Sequence, residues 1–486
     1  MRAGRFSEAL PLAEQAVAGA RACLPAHGLL ASILLQLGRP GDADAVISRA
    51  LVYKTGAADA YDALAYVSMH LGDHGRANSL YRRATELAPG TPRFWYNLAS
   101  SERSFGKLSE AEAACDRAIA LDETQYPSYL LRSELRVQTH DTNHVAALRG
   151  HLTRPGLEDR ARFFLGYALA KELDDLRQFD EAFHWFFTAA TTRRRHLAYD
   201  VAVDEGKLAR IAAVFPAPTA DRTPLSREQQ SRDHTYVEKS ARYIFIVGLP
   251  RTGTTLVERI LTGLAGVRSN GETDNFSRAL LAASPPDSQN RADVFARAAA
   301  ADPVTVAANY VRLADIGASG GYIVEKLPMN YLYLGAIRRA LPGAKLLVLK
   351  RSPLDSCFAM YRTLFGEAYP FSYDFEELAR YYAAYARLMG HWRATLGDSL
   401  HEIVYEDLVK EPLQVGARIA AACALPWTDA AIEVHKNAAV SLTASAAQVR
   451  RPIYGSSSGR WRHYRGHLEP LIGALRRQGV TLPEDV

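Results

Sequence analysis

A glycine-bounded loop in the middle of the sequence carries the residues that most directly suggest chemistry. The apolar run of residues 243–247 leads into this loop, which Gly248 and Gly253 delimit, and an apolar-periodic segment follows it. The five-residue spacing of these glycines, followed by Thr254 and Thr255, is typical of loops that bind nucleotide phosphates. Thr254 stands where such loops carry the lysine that reaches the β- and γ-phosphates. The spacing therefore predicts a ligand with a shorter anionic tail than a triphosphate.

The residues of the loop itself are expected to form the anion-binding surface. In such loops the backbone N–H groups and the positive end of the following helix face the phosphate. Arg251 would add charge, and threonine hydroxyls would add hydrogen-bond donors. The alternative is a glycine-rich connection between a strand and a helix, with exposed threonines. The predicted binding residues of the loop are Pro250, Arg251, Thr252, Gly253, Thr254 and Thr255.

Five segments, in order, resemble the sulfotransferase superfamily, in particular bacterial tetratricopeptide-repeat sulfotransferases and their tyrosylprotein sulfotransferase relatives. The resemblance covers roughly residues 240 to 470. It implies that the donor is 3′-phosphoadenosine 5′-phosphosulfate, held by Arg251 and its loop, and that no metal is required. The segments are the loop, residues 271–273 (Gly-Glu-Thr), 325–328 (Glu-Lys-Leu-Pro), 351–355 (Arg-Ser-Pro-Leu-Asp) and 459–461 (Gly-Arg-Trp).

The resemblance makes Glu272 the general base. A carboxylate held over the sulfuryl group can take the proton that an acceptor hydroxyl loses as the new S–O bond forms. The alternative is a solvated glutamate on the surface. His391 and His401 are rival bases, since cytosolic members of the superfamily use histidine, but neither has a comparable context after the loop.

The resemblance assigns two further cations to the donor. Lys326 follows a predicted strand, and a fixed ammonium there would stabilise the negative charge that transfer leaves on the bridging oxygen. The alternative is an ordinary surface lysine at a strand end. Arg351 ends another predicted strand, and its guanidinium fork suits the 3′-phosphate of the donor.

The sequence departs from the family's pattern eight residues after Arg351, where the usual serine is replaced by Ala359. Ser356 need not point to the position that the hydroxyl of the family serine would occupy, although Ser352 or Tyr361 could supply a hydroxyl. The departure bears on the affinity for the donor and not on the fold.

The basic and aromatic residues 448–462 are expected to close over the nucleotide. Ser457, Gly459 and Arg460 would lie near phosphate, and Trp461 would anchor the segment. Arg351 and Arg460 could also carry the 3′-phosphate alone. The alternative is an ordinary basic loop before a final helix.

Around these segments, short apolar runs alternate with helical patterns. This alternation predicts an α/β domain with a parallel sheet and helices on both faces. Ligands of such sheets bind at the carboxyl ends of the strands, where the glycine loop emerges. The predicted strands are residues 243–247, 322–324, 345–349 and 402–405, and the helices between them include residues 331–340 and 375–392.

The first third of the sequence repeats with a period of 34 residues. Glycines recur at a turn position, and alanines recur where paired helices would pack, which is the tetratricopeptide pattern. Because Gly4 already occupies the turn position, the sequence is expected to begin within a repeat. We predict an all-α tetratricopeptide domain over residues 1–214, degenerate in its last part, a linker over residues 215–237 and a sulfotransferase domain over residues 238–486.

Composition excludes several classes of protein. Apolar residues make up 48% and charged residues 23%, which excludes wholesale disorder. The net charge of +5 favours a small anionic ligand over nucleic acid. Four scattered cysteines suggest neither a zinc site nor disulfides, and no apolar stretch approaches the roughly 18 residues of a membrane span. A cytoplasmic protein that binds no nucleic acid and no membrane is expected.

Together these features predict an enzyme that transfers a sulfuryl group to an acceptor hydroxyl. Because tetratricopeptide arrays bind peptides in their grooves, the expected acceptor is a tyrosine in a peptide or protein. Saccharide and small-molecule acceptors stay open, and the oligomeric state is not indicated. A second hypothesis, favoured by Ala359, is a tetratricopeptide scaffold that binds a nucleotide without turnover. A kinase-like phosphotransferase is disfavoured because no lysine follows Gly253 and only Asp355 is near enough to hold magnesium.

Overall fold

In the computed structural model, the chain forms two units, Met1–Leu176 and Arg177–Val486. Residues 217–237 of the predicted linker lie outside the described residues, as does Gly4. The structure describes residues 5–54, 56–216, 238–284, 294–315, 320–437, 439–440 and 446–483.

The first unit consists of helices that pair as the 34-residue period predicts. Gly38, Gly72 and Gly106 lie at the turns with φ of 73°, 81° and 79°, a conformation that favours glycine. The repeated alanines after the first repeat, such as Ala43, Ala77 and Ala111, are buried between the paired helices, where a small side chain allows close packing. The predicted tetratricopeptide architecture is confirmed. The helices are Phe6–Gly19, Leu24–Gln36, Pro40–Ala50, Ala58–His70, His74–Leu87, Pro92–Phe105, Leu108–Leu121, Tyr126–Glu134, Val145–Leu152 and Asp159–Asp175.

Two further helices, Phe179–Arg195 and Val201–Val214, belong to the second unit, although the repeat pattern places them in the helical domain. Arg194 of the first helix makes two hydrogen bonds of 2.6 Å to the carboxylate of Glu377. Phe183 stacks on His467 with 4.5 Å between the ring centroids. These contacts explain why the boundary between the units precedes the predicted limit at residue 214.

The second unit is built on a five-stranded sheet in the order β2-β3-β1-β4-β5, in which all paired strands are parallel. All five residues of the central β1 are buried. The prediction of a parallel sheet is confirmed, and β2 is a strand that the sequence did not reveal. The strands are β1 Tyr243–Val247, β2 Val267–Ser269, β3 Tyr322–Glu325, β4 Lys345–Lys350 and β5 Leu400–Val404.

Helices cover the sheet and supply the remaining core. The longest begins after Asp374, whose carboxylate accepts hydrogen bonds from the backbone N–H groups of Glu376 and Glu377. The predicted helix over residues 331–340 is in fact a 3₁₀ turn followed by a short α-helix. The α-helices are Thr254–Thr262, Asn275–Ala283, Val294–Ala300, Pro303–Ala314, Leu334–Ala340, Pro353–Tyr361, Phe375–Leu396, Tyr405–Lys410, Pro412–Ala422 and Arg465–Arg477. The 3₁₀ helices are Pro328–Tyr333, Pro370–Tyr373, Gly397–Ser399, Asp429–Ile432, Val434–Lys436, Gln448–Arg450 and Arg460–Tyr464.

Among the described residues, no helix combines the length and the apolar composition that crossing a bilayer requires.

Candidate active site

The sequence-predicted site residues meet at the carboxyl ends of the parallel strands. The backbone N–H of Gly248, after β1, donates to the carbonyl of Pro328, beyond β3, at 3.1 Å. The N–H of Lys326 donates to the carbonyl of Gly271 at 3.0 Å, which joins the ends of β3 and β2. Because all strands run in one direction, side chains that are distant in sequence share one edge of the sheet.

The glycines that delimit the loop are required by its geometry. Gly248 has a φ of 154°, and a Cβ there would lie 2.9 Å from the carbonyl oxygen of Leu349. Gly253 has a φ of 102°, and a Cβ there would overlap the ring of Tyr405. Both positions therefore exclude other residues for steric as well as conformational reasons.

Within the loop, the side chains fall into two groups. Pro250, Thr252, Thr254 and Thr255 are buried, and the Thr252 hydroxyl donates to the carbonyl of Leu249 at 2.7 Å. Arg251 has a left-handed φ of 67°, and its guanidinium donates to Gln448 Oε1 at 3.0 Å. The strained backbone of Arg251 turns its side chain towards residues 448–462, which we call the C-terminal segment.

Lys326 is fully buried and lies between two carboxylates. Its Nζ atom lies 2.5 Å from Glu272 Oε1 and 3.7 Å from Glu258 Oε2. The second carboxylate is itself fixed, because the Ser269 hydroxyl donates to Glu258 Oε1 at 2.5 Å. A buried ammonium requires such partners, since an unpaired charge in the interior is strongly destabilising. Lys326 therefore connects the segment after β2 with the helix that follows the loop.

Glu258 and Ser269 were missed by sequence reasoning. Glu258 lies in the helix Thr254–Thr262, where it and Arg259 stand between the apolar Val257 and Ile260, and charged residues within such an apolar helical pattern are a signal.

Glu325 is a second carboxyl group of the site, and the sequence assigned it no role although it begins the segment 325–328. It is fully buried at the end of β3, and burial raises its pKa to about 7, although hydrogen bonds from neighbouring side chains oppose this shift. The donors include the Thr273 hydroxyl, Asn270 Nδ2 at 3.3 Å and the Tyr310 hydroxyl at 3.3 Å.

Arg351 connects the loop to the C-terminal segment. Its Nη1 donates to the carbonyl of Arg251 at 2.8 Å, and its Nη2 donates to the carbonyl of Ser457. The guanidinium lies 4.7 Å from the ring centroid of Tyr405 and 3.8 Å from the Asp355 carboxylate. Arg351 therefore holds the site together in addition to contributing a positive charge.

Two buried polar atoms beside the loop have no hydrogen-bond partner in the part of the chain that the structure describes, namely Arg351 Nε and Ser352 Oγ. Adjacent donors left unsatisfied in this way fit an anionic group, and we find them compatible with a phosphate of the implied nucleotide donor. The other candidate hydroxyls are used elsewhere. Ser356 donates to the carbonyl of Arg351 at 3.4 Å, and Tyr361 packs on Phe375 with 4.4 Å between the ring centroids.

The C-terminal segment is attached to the same edge of the sheet. Gly459, with a φ of 70°, donates its N–H to Asp355 Oδ2 at 2.8 Å. The side chain of Ser457 shares a hydrogen bond with the hydroxyl of Tyr405. Arg460 begins a 3₁₀ helix, and the buried Trp461 follows it. The ring of Tyr405 lies against both Gly253 and Arg351.

The rival residues lie away from these contacts. His391 hydrogen-bonds the carbonyl of Phe215 at 2.7 Å, and His401 lies within β5, where burial lowers its pKa. The four cysteines are free. Over the part of the chain that the structure describes, no group of three or more His, Cys, Asp or Glu side chains could hold a metal ion.

Residues 243–429 match the profile described as the Sulfotransferase family. Residues 243–429 are a sulfotransferase-family domain. Profiles of the tetratricopeptide repeat match residues 1–65 and 63–127, in the helical unit that precedes this domain.

One curated relative is an uncharacterized protein of Aquifex aeolicus (strain VF5), 28% identical over 419 residues. The match covers 83% of this chain and 53% of that protein, so the chain spans about half of the length of its relative.

Among solved structures, the sulfotransferase domain of the Synechococcus PCC 7002 olefin synthase is 18% identical, with a TM-score of 0.36, and the match covers 50% of this chain and 95% of that one. The sulfotransferase domain from the curacin biosynthetic pathway is also 18% identical, with a TM-score of 0.36, and the match covers 49% of this chain and 98% of that one.

Proposed function

We propose that this chain transfers a sulfuryl group from 3′-phosphoadenosine 5′-phosphosulfate to an acceptor hydroxyl. The observation that carries the proposal is the pairing of buried Lys326 with Glu272 at the strand ends beside the glycine loop. In a domain that matches the sulfotransferase family, a carboxylate paired with a buried ammonium supports the roles of base and of cation for the leaving group.

The donor would be held from both sides. Pro250 to Thr255 and the N-terminus of the following helix would bind the 5′-phosphosulfate. Arg351 Nε and Ser352 Oγ, which have no hydrogen-bond partner among the described residues, would meet the 3′-phosphate. Ser352 would then supply the hydroxyl of the usual family serine, which is replaced by Ala359 in this chain. Ser457, Gly459 and Arg460 would complete the phosphate contacts from the C-terminal segment.

Three residues would carry the transfer itself. Glu272 would accept the proton of the acceptor hydroxyl as its oxygen bonds to sulfur. Lys326 would stabilise the negative charge on the phosphate oxygen as the bond from that oxygen to sulfur breaks. Arg251 would stabilise the charge on the sulfuryl oxygens. No metal is part of this proposal.

For the acceptor, we propose a tyrosine of a peptide or protein that the helical unit binds. Within that unit a cavity of about 370 Å³ is lined by both aromatic and polar side chains, a combination that suits a peptide. The lining includes Asp62, Tyr66, Tyr96 and Asn97. A cytoplasmic location is part of the same proposal, and the four free cysteines are compatible with it.

The test is incubation of the protein with radiolabelled sulfate donor and a cell lysate. A labelled protein band is expected, and its tyrosine should carry the label after alkaline hydrolysis, which cleaves peptide bonds but preserves the acid-labile sulfate ester. Label only in soluble glycans or small molecules would exclude tyrosine as the acceptor while leaving sulfuryl transfer intact.

A non-catalytic nucleotide-binding scaffold is the second candidate, since Ala359 replaces the expected serine. Titration calorimetry with the donor separates the two. A scaffold would bind the donor and show no label transfer in any fraction, whereas an enzyme would lose transfer but keep donor binding on the substitution Glu272→Ala.

A further inference from the structure

The carboxyl group of Glu325 is fully buried, yet no part of the proposed reaction uses it. Burying a carboxylate is costly unless hydrogen bonds replace its water. Glu325 meets this requirement with several donors and no close cation of its own: the ammonium of its chain neighbour Lys326 is paired with Glu272 and Glu258 instead. Such an arrangement calls for an explanation beyond packing.

The donors to Glu325 come mainly from one short stretch, and that stretch contains Glu272. Asn270 Nδ2 lies 3.3 Å from Glu325 Oε2, the Thr273 hydroxyl donates to Oε1, and the side chain of Asn275 forms a further hydrogen bond. The backbone N–H of Asn270 also donates to the carbonyl of Val324 at 2.9 Å. Glu325 therefore binds side chains on both sides of Glu272.

We propose that Glu325 is a positioning residue that fixes residues 270–275 and thereby holds Glu272 against Lys326. This inference rests on the proposed function, in which Glu272 is the base. Placement of a catalytic group within a fraction of an ångström has large effects on rate, so a fixed support is valuable at this position.

The ionised form of Glu325 suits this role better than the protonated form. A carboxylate offers two oxygens that only accept hydrogen bonds, which matches donors from Asn270, Thr273, Asn275 and Tyr310. A protonated carboxyl group must donate from one oxygen, so at least one of these bonds is lost or reversed. Because burial raises the pKa of Glu325 to about 7, the change falls within an accessible pH range.

Several titratable and charged groups surround Glu325 on the neighbouring elements. Tyr310, on the helix Pro303–Ala314, faces it, and burial raises the pKa of this tyrosine well above its ordinary value. Behind Tyr310, the hydroxyl of Tyr243 donates to Asp315 at 3.0 Å. Arg268 donates to Asn270 Oδ1 at 2.7 Å, and Phe245 lies opposite Glu325 in the register of β1 and β3.

The experiment measures the pH profile of kcat and hydrogen exchange of residues 270–275 in wild type, Glu325→Gln, Tyr310→Phe and the control Glu402→Gln. Glu402 is a partly buried carboxylate of the same sheet, paired with Arg393 and Lys350 away from the site.

In wild type, kcat is expected to fall on the order of 10- to 100-fold as the pH drops through about 7, the size expected for a displaced catalytic group. Glu325→Gln, which resembles the protonated form, should have the low rate at every pH and lose this transition. Tyr310→Phe removes one donor to the carboxylate and should move the transition upward by roughly half a unit to one unit. Glu402→Gln should behave as wild type.

A folded Glu325→Gln protein with the wild-type pH profile would overturn the inference. If Glu325→Gln does not fold, an unmoved transition in Tyr310→Phe overturns it instead. Exchange gives a readout that does not depend on activity: protection of residues 270–275 should be lost in Glu325→Gln and kept in Glu402→Gln. If protection of residues 270–275 is the same in Glu325→Gln as in wild type, the positioning role is contradicted. If Glu325→Gln loses this protection but wild type shows no sulfuryl transfer, only the proposed function is contradicted.

Discussion

The ammonium of Lys326 lies 2.5 Å from Glu272 Oε1, although 54 residues separate the two in sequence. Lys326 is fully buried, whereas the side chain of Glu272 is 36% exposed. The pair therefore has a protected cation and a carboxylate that an acceptor hydroxyl can reach. This combination is what a base and a leaving-group stabiliser in one displacement require.

Replacing Lys326 with alanine should lower kcat by roughly 10²- to 10³-fold, because the charge on the leaving oxygen loses its stabilising cation. The control is Lys350→Ala, which removes an ammonium at the end of β4 that pairs with Glu402 at 3.1 Å. Steady-state kinetics should show the loss in the first variant only. Equal activity of the two variants would remove Lys326 from the mechanism.

Replacing Glu272 with glutamine should lower kcat by about 10²- to 10⁴-fold through loss of the base. Donor affinity should stay near that of wild type, since the amide can still accept a hydrogen bond from Lys326. Kinetics and titration calorimetry on the same preparation separate these effects. A variant that transfers sulfuryl groups at the wild-type rate would exclude Glu272 as the base.

Ser352→Ala should weaken donor binding by roughly tenfold, because a hydrogen bond from a hydroxyl to an anion is lost. Ser356→Ala is the matched control, since that hydroxyl donates to the carbonyl of Arg351 within the protein. Calorimetry with the desulfated nucleotide product measures both. If Ser356→Ala weakens binding and Ser352→Ala does not, our assignment of the replacement hydroxyl is wrong.

Gly253→Ala should abolish donor binding and destabilise the second unit, since the new Cβ would overlap the ring of Tyr405. Gly366→Ala is the control that shows the effect of backbone strain alone. Gly366 also has a positive φ, of 67°, but a Cβ there would meet no other atom within 4 Å. The control should lose only about 1–2 kcal/mol of stability and keep donor binding. Thermal unfolding with and without nucleotide measures both quantities.

Glu325 should make the second unit less stable as the pH rises. Its pKa is about 7 in the folded protein and near 4.5 when unfolded, so the folded state binds more protons between these values. The stabilisation is complete below pH 4.5 and is lost as the pH rises through 7, by on the order of 3 kcal/mol. Urea unfolding of wild type between pH 5 and 8 should show this fall, and Glu325→Gln should remove it. A fall of the wild-type size in the variant would contradict the assignment.

The loop and the central strand could be predicted because local sequence determines them. An uninterrupted apolar run predicts β1. Gly248 and Gly253 can be recognised in the sequence because a side chain at either position would clash with a neighbouring residue. By contrast, β2 has only three half-buried residues, Val267–Ser269, and no run or alternation long enough to reveal it.

The contacts between distant residues could not be predicted. Glu258 and Ser269 look like ordinary polar residues in sequence, and only the fold brings them to Lys326 and Glu272. Only the fold, likewise, joins Glu325 to residues 270–275. The helices Phe179–Arg195 and Val201–Val214 continue the helical pattern, but their ion pairs to Glu377 and Arg380 place them in the second unit. Pairing over such separations leaves no periodic signal.

The most direct test is a single-turnover assay in which wild type and Glu272→Gln receive radiolabelled 3′-phosphoadenosine 5′-phosphosulfate, with binding of that donor and of ATP with magnesium measured alongside. We predict that both proteins bind the sulfated nucleotide, that only wild type passes its label to an acceptor, and that ATP competes poorly. Tight binding of ATP with magnesium, together with no binding of the sulfated nucleotide by wild type, would contradict a sulfuryl-transfer site at this loop.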